Sequence, residues 1–385
     1  MKVFIASIGM SKVGDLWDKS LVELALDAGF KALNKFNLKP DSLVIGNMFS
    51  GYACNQEHLG ALIADSLGLT GISAYKVEAA CSSGAAALAS AYSRVKSGDS
   101  DVCLVIGVEK MRDMSSKKAS NALAMAESAE FTQFFGANFI SLNAMLTRYY
   151  MNELKVSREE LAYFPLLAHK NAKNAEHAQF RREISLEDIK KAPIIADPLG
   201  LLECSPIGDG AASVLLVSER KAKEIGEDNL VEIIASSIAT NRFSFYERND
   251  MLRFEATERA TNQALEQAKI KLDDIDFVEV HDAFPVVTAL SLEAMGFVKK
   301  GEAPKLANQG FFDLKGELPI CTFGGLKARG HPAGATGIYQ ACEAYLQLTY
   351  QAKSNQVEKA GIGMIHNVGG IDTTAIVHIL KRNRA

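Results

Sequence analysis

The strongest constraint on the fold is that the chain repeats itself. Cys81-x-x-Gly84-Ala85 returns as His331-x-x-Gly334-Ala335, and Ala91 returns as Ala341, each 250 positions later. A second echo has an offset of 232: Ala32-Leu33 returns as Ala264-Leu265 and Asp41 as Asp273. Around it, VFIAS leads to a helical stretch Leu21–Asn37, and VEIIAS leads to one at Phe254–Lys269. The period is far beyond the roughly 20–50 residues of a solenoid, so the pattern is that of a duplicated βαβ unit. Strands alternating with helices predict α/β layers with mixed sheets. At about 150 residues per domain, 385 residues would make two to three domains. The echoes divide them instead into a first half (1–114 and 196–225), a mostly helical insertion (115–195) and a second half (226–385).

A duplication of this kind brings two helix N-termini toward one place, one carrying Cys81 and the other His331. The segment VEAACSSGAAALASAYSRVKSG reads as a strand running into Cys81, then an Ala-rich helix ending near Gly98. A thiol at a helix N-terminus is expected to lose its proton more readily, and free N–H groups there can hold an oxyanion. The alternative is an inert, buried Cys before a packing helix. In GGLKARGHPAGATG, Pro332 suits the first helical position, which places His331 at the cap. A helix N-terminus disfavours imidazolium, so His331 is expected to be neutral, as a base or donor must be. A capping histidine is the plainer reading. The glycines fit neither a P-loop nor a dinucleotide fingerprint.

Two more strand ends carry histidine. FVEV ends in His281-Asp282-Ala283-Phe284, where α/β sheets place ligands, although a polar turn reads the same way. GIGMIHNVGG ends in His366-Asn367 and Gly369-Gly370, whose amides suit an oxyanion hole or a hairpin turn. His58, His169, His177 and His378 lack such settings and read as structural or exposed.

Composition narrows the function. Hydrophobic residues at 48% exclude a disordered chain, and a net charge of -4 argues against nucleic-acid partners. No apolar run reaches membrane-span length, and the N-terminus reads as a strand rather than a signal peptide. Six cysteines with no CxxC argue against zinc and point to a reducing cytoplasm.

Together VEAACSSGAAAL, CSPIGDGAA and GGLKARGHPAGATG resemble the motifs of the thiolase superfamily, in order and over essentially the whole chain. The resemblance implies a duplicated five-layered α/β/α/β/α fold. HDAF stands where most thiolases have Asn-Glu-Ala-Phe, and the Cys-x-Gly cysteine is absent, with His366 in its apparent place. Sterol-carrier-protein-type thiolases put a cysteine where Ala283 stands. The combination with GVEKMRDMS is most similar to archaeal-type acetoacetyl-CoA thiolases.

That resemblance implies Claisen condensation of two acetyl-CoA through a Cys81 acyl-enzyme, with CoA thioesters as substrates and no metal or cofactor. His331 and His281 would hold the enolate oxygen, His366 would remove the α-proton, and the Cys81 amide, Asn367, Gly369 and Gly370 would position substrate and oxyanion. CoA contacts are expected from 115–195 and 239–251. It further implies a homodimer or homotetramer, a place in the mevalonate pathway beside a hydroxymethylglutaryl-CoA synthase, and a small zinc-ribbon/OB-fold adaptor. A ketoacyl synthase-like condensing enzyme and a retro-aldolase or scaffold subunit are the competing readings.

Overall fold

The computed structural model describes residues 1–36, 38–226 and 229–383. Nine strands form one mixed sheet: β1 (Val3–Met10), β2 (Ser42–Gly46), β3 (Ser73–Val77), β4 (Val102–Glu109), β5 (Gly210–Ser218), β6 (Val231–Thr240), β7 (Phe277–Glu279), β8 (Ile362–Gly369) and β9 (Thr374–Arg382). Their spatial order is β3-β2-β4-β5-β1-β6-β9-β8-β7. Read outward from the centre, the two sides follow the same plan. On one side β1 and β4 flank β5 antiparallel, then β2 and β3 join parallel. On the other, β6 and β8 flank β9 antiparallel, then β7 joins parallel and Ile320 extends the row with a parallel bridge to Val278. The duplication read from the echoes is therefore present as a repeated topology.

The two sides meet where β1 pairs with β6 through Phe4–Glu232 and Ile5–Val231. That pairing covers an edge each half would otherwise leave open. The layers follow from which faces are apolar. Residues of β4 and β5 are buried throughout, the continuous apolar run of a strand covered on both faces. The Ser83–Ser97 and Thr336–Leu348 helices pack on each other between the two sides of the sheet. The Leu21–Leu33 helix covers the first side, and Glu255–Ala268 covers the second. The result is the five-layered α/β/α/β/α arrangement.

Helix ends are set locally. Ser20 and Glu23 form a reciprocal capping box at Leu21, and Gly98 ends the Cys81 helix at φ 90°. The first helix stops at Leu33, earlier than expected; Asn37 lies outside the described residues. Between β4 and β5 the chain is mostly helical, with Ser116–Ala124, Phe139–Leu154 and Tyr163–Ala172 the longest pieces. Leu142, Leu146 and Phe164 share a core with Phe284 and Leu290 of the second half, so this segment roofs the sheet's far side.

Candidate active site

Cys81 sits at a sharp strand-to-helix turn. Ala80 before it adopts φ 51°, a left-handed conformation that costs a non-glycine residue about 1–2 kcal/mol. Two serines fasten the turn: Ser82 Oγ donates to Ala79 O at 2.6 Å and Ser83 Oγ to Ala80 O at 2.6 Å. The thiol packs in a small apolar cluster with Met48, Phe49, Met111, Met114 and Ala333. Ala333 lies two residues past His331, so this contact joins the two motifs.

Glycines let the two central helices touch at their N-terminal ends. A Cβ on Gly84 would lie 2.7 Å from Gly334 O, and one on Gly337 would lie 2.8 Å from Ala85 Cβ. The convergence expected from the 250-residue echo is thus a backbone-to-backbone crossing. The second helix begins differently from expectation. Pro332 is the cap of a 3-10 turn, Ala333–Ala335, which precedes the α-helix proper at Thr336. His331 therefore lies just outside the helix and reaches into it, with Nδ1 2.7 Å from Thr336 Oγ1.

His281 and His331 meet edge to face with ring centroids 5.4 Å apart. Val368 N–H donates to His281 Nδ1 at 3.3 Å, and Asn367 Nδ2 lies 3.2 Å from the same atom. An Nδ1 that accepts an N–H must be unprotonated, so the neutral His281 ring carries its proton on Nε2, which is a donor. His331 has a choice. The Thr336 hydroxyl reaches both His331 Nδ1 and Pro332 O, the latter at 3.1 Å. Turned to Pro332, it leaves Nδ1 protonated and Nε2 a base; turned to Nδ1, it makes Nε2 a donor.

Electrostatics alter one expectation. Burial pushes the Cys81 thiol up to about 12, and Glu109 and Glu78 push the same way. A helix N-terminus contributes about 0.3–1 kcal/mol, less than one pK unit, so desolvation wins and Cys81 rests as a thiol. Burial lowers His331 to about 3, with the Arg329 guanidinium adding to it, and burial lowers His281 well below its usual value, with His331 adding. Both imidazoles are neutral. Arg329 is itself fully buried and pairs with Glu343 at 3.2 Å; Glu343 also lies 2.8 Å from His177 Nε2.

His366 does not join this group. Alternate residues of a strand face opposite ways. Asn367 faces His281 and Gln340, with Nδ2 2.7 Å from Gln340 Oε1, while His366 Nε2 lies 2.9 Å from Thr257 Oγ1 on the outer helix. Thr257 in turn donates to Asp372. The α-proton role expected of His366 is withdrawn on this ground, and Asn367 takes the place on the site's side. His366 is lowered to about 3 by burial. The unfolded chain protonates it near 6.5, so its share of stability is full above 6.5 and is lost as pH falls toward 3. His366→Gln should keep activity within about tenfold, because the side chain has no part in proton transfer. It should also flatten the acid limb of stability against pH; an unchanged limb in chemical denaturation would refute this.

Gly369 and Gly370 close the β8–β9 hairpin, so the turn reading holds, and the turn also borders the site. A Cβ on Gly369 would lie 2.5 Å from Ala79 O and 2.9 Å from Ser82 Oγ, against the Cys81 turn. Asp282 accepts from Leu326 N–H at 2.6 Å and caps the loop before the His331 motif.

Glu109 was not singled out from sequence. Its carboxylate accepts from Met48 N–H at 2.8 Å, Asn47 Nδ2 at 2.8 Å and Gly334 N–H at 2.9 Å, tying the two halves beside Cys81. The signal was available: an acidic residue ending the apolar strand VCLVIGVE.

The chain matches known proteins over nearly its whole length. Residues 3–220 match the family "Thiolase, N-terminal domain" and 237–382 match "Thiolase C-terminal domain-like". The chain is 42% identical to an acetyl-CoA acetyltransferase of Methanothermobacter thermautotrophicus, covering 99% of both chains, and 40% identical to one of Methanocaldococcus jannaschii over 99% of both. Human sterol carrier protein 2 is 29% identical, with 99% of this chain covering 72% of that protein. Among solved structures, the Ltp2-ChsH2(DUF35) aldolase superposes with TM-score 0.87 at 22% identity, over 100% of this chain and 98% of that one. The chain belongs to the thiolase family.

Proposed function

We propose that this protein condenses two acetyl-CoA molecules to acetoacetyl-CoA and CoA, reversibly, through an acetyl group carried on Cys81. The observation that carries the reading is the crossing at Gly84 and Gly337, which sets the strained Cys81 turn against the His331 motif. Full-length identity of 42% to an acetyl-CoA acetyltransferase supports the choice of acyl group.

The resting thiol needs a base. With Thr336 turned to Pro332, His331 Nε2 takes the Cys81 proton, and the thiolate attacks the thioester carbonyl. The Cys81 and Gly369 amides hold the oxyanion. CoA leaves with the proton from His331, which regenerates the neutral ring. For the second acetyl-CoA, His281 Nε2–H holds the carbonyl oxygen, and His331 adds a second donor once its ring proton has exchanged through water from Nδ1 to Nε2 and the Thr336 hydroxyl has turned to Nδ1. Each such donor is worth about 3–4 kcal/mol as enolate charge develops. The enolate carbon attacks the acetyl carbonyl, and the Cys81 thiolate departs.

The free edge strand β3 is half-exposed, and a second copy pairing there would complete a homodimer or homotetramer. We extend the reading to supply of the mevalonate pathway, in the cytoplasm, with a hydroxymethylglutaryl-CoA synthase and a zinc-ribbon/OB-fold adaptor as partners. Among the described residues no helix is long and apolar enough to cross a membrane.

The test is direct. Incubation with acetyl-CoA, followed by peptide mass spectrometry, should place an acetyl group on Cys81 and none in Cys81→Ser. No adduct, or one that survives in Cys81→Ser, would favour the retro-aldolase or scaffold reading. Turnover of malonyl but not acetyl thioesters would instead mark a decarboxylating synthase.

A further inference from the structure

Condensation requires a base for the α-proton, and the groups around the site can be taken in turn. His281 holds its proton on Nε2 and is a donor. His331 serves Cys81. His366 faces Thr257. Glu109, Asp282 and Asp372 each spend their carboxylates on backbone N–H groups. Glu127 is different. It is 5% exposed, Gln133 Nε2 donates to its backbone carbonyl, and among the described residues none donates a hydrogen bond to its carboxylate or forms an ion pair with it.

It borders the hairpin turn that rests against the Cys81 turn. Glu127 Oε1 stands 3.8 Å from where a Cβ would sit on Gly370, and Gly369 rests on the Cys81 turn. Ala126, the residue before it, packs against the cluster that holds Cys81. Across from it is Arg248, 8% exposed, which donates to Arg242 O at 3.0 Å through Nη2 and leaves Nη1 buried without a partner. Glu127 and Arg248 sense each other's charge but do not form an ion pair. Buried opposite charges normally pair, because leaving both unpaired costs several kcal/mol. Held apart, they leave a carboxylate beside the hairpin turn and a buried guanidinium nitrogen without partners.

We propose that Glu127 is the catalytic base that removes the α-proton from the second acetyl-CoA. This rests on the condensation reading above. The methyl C–H bond breaks, the proton passes to a Glu127 carboxylate oxygen, and the electron pair moves into the enolate whose oxygen His281 and His331 hold. The new C–C bond then releases Cys81 thiolate, which is reprotonated through His331. Glu127 later returns its proton to solvent. Burial raises its carboxyl to about 7, against the opposing pull of Arg248, a value suited to accepting a proton near neutrality.

Glu127→Gln, which preserves size, separates the steps. Cys81 acetylation from acetyl-CoA should proceed as in the unsubstituted protein. Acetoacetyl-CoA formation and solvent-deuterium uptake into the acetyl-CoA methyl group should fall by about 10²–10⁴-fold, the usual range for a lost base. Glu127→Asp should recover part of both. Condensation within threefold of normal in Glu127→Gln overturns the assignment, and so does loss of acetylation together with condensation. Failure of the unsubstituted protein to acetylate Cys81 would instead overturn the condensation reading itself.

Discussion

Replacing Cys81 with alanine should lower acetoacetyl-CoA formation by on the order of 10⁵–10⁶-fold, as removal of a nucleophile does elsewhere. The size follows from the site. Covalent capture of the acetyl group divides the reaction into two steps, and no other thiol is placed to stand in. Cys342 and Cys103 are buried in the central core, while Cys204 and Cys321 lie in the second half's core. Cys54 is half-buried, on the rim of the Leu21–Leu33 layer. Because burial holds Cys81 at about 12, the thiolate forms only as His331 accepts its proton, so the two residues act as one unit. His331→Ala alone should cost about 10²–10⁴-fold, and the double substitution should be no worse than Cys81→Ala. Steady-state rates on the three variants check this. Additive losses in the double variant would show that His331 acts independently of the thiol.

Gly337→Ala should have the largest effect among substitutions that touch no reacting atom. The new Cβ would lie well inside contact distance of Ala85 N and 2.8 Å from Ala85 Cβ. Both are part of the facing helix, Ala85 N in its backbone, so neither can swing aside as a flexible side-chain end would. Overpacking of this kind costs about 1–3 kcal/mol. For a chain this size that is a Tm lower by about 1–4 °C. Activity should fall further than stability does, because the crossing that opens up is the one that sets Cys81 against His331. A displacement of about 1 Å at reacting groups can cost about 10²-fold. Calorimetry and rates measured well below Tm separate the two effects. An unchanged Tm with normal rates would mean that the two helices do not cross as closely as described.

Sequence alone carried a long way. The offsets of 250 and 232 gave the two halves, because a repeated topology needs the same glycines and apolar strands at corresponding places. The same offsets paired Cys81 with His331, because each begins the equivalent central helix. Asp282 was legible as a turn cap from its strand-end position. What the sequence could not assign was direction. His366 and Asn367 are adjacent, and either could have faced the catalytic groups. Which one does depends on which side of β8 the Thr336–Leu348 helix covers, and a shift of one residue exchanges the faces. Only packing settled it, placing Asn367 beside His281 and His366 beside Thr257.

Burial was likewise invisible along the chain. A cysteine at a helix N-terminus reads as acidified, yet the cluster around Cys81 removes water from all sides and outweighs the helix. Glu109 ends an apolar strand and Glu127 follows a helix, but neither pattern tells a satisfied carboxylate from an unpaired one. Tertiary structure made one a fully satisfied clamp between halves and left the other unpaired beside the hairpin turn. The sequence determined which residues could do chemistry. The fold decided which of them keep a free lone pair, because that depends on donors brought in from 44 to 225 residues away.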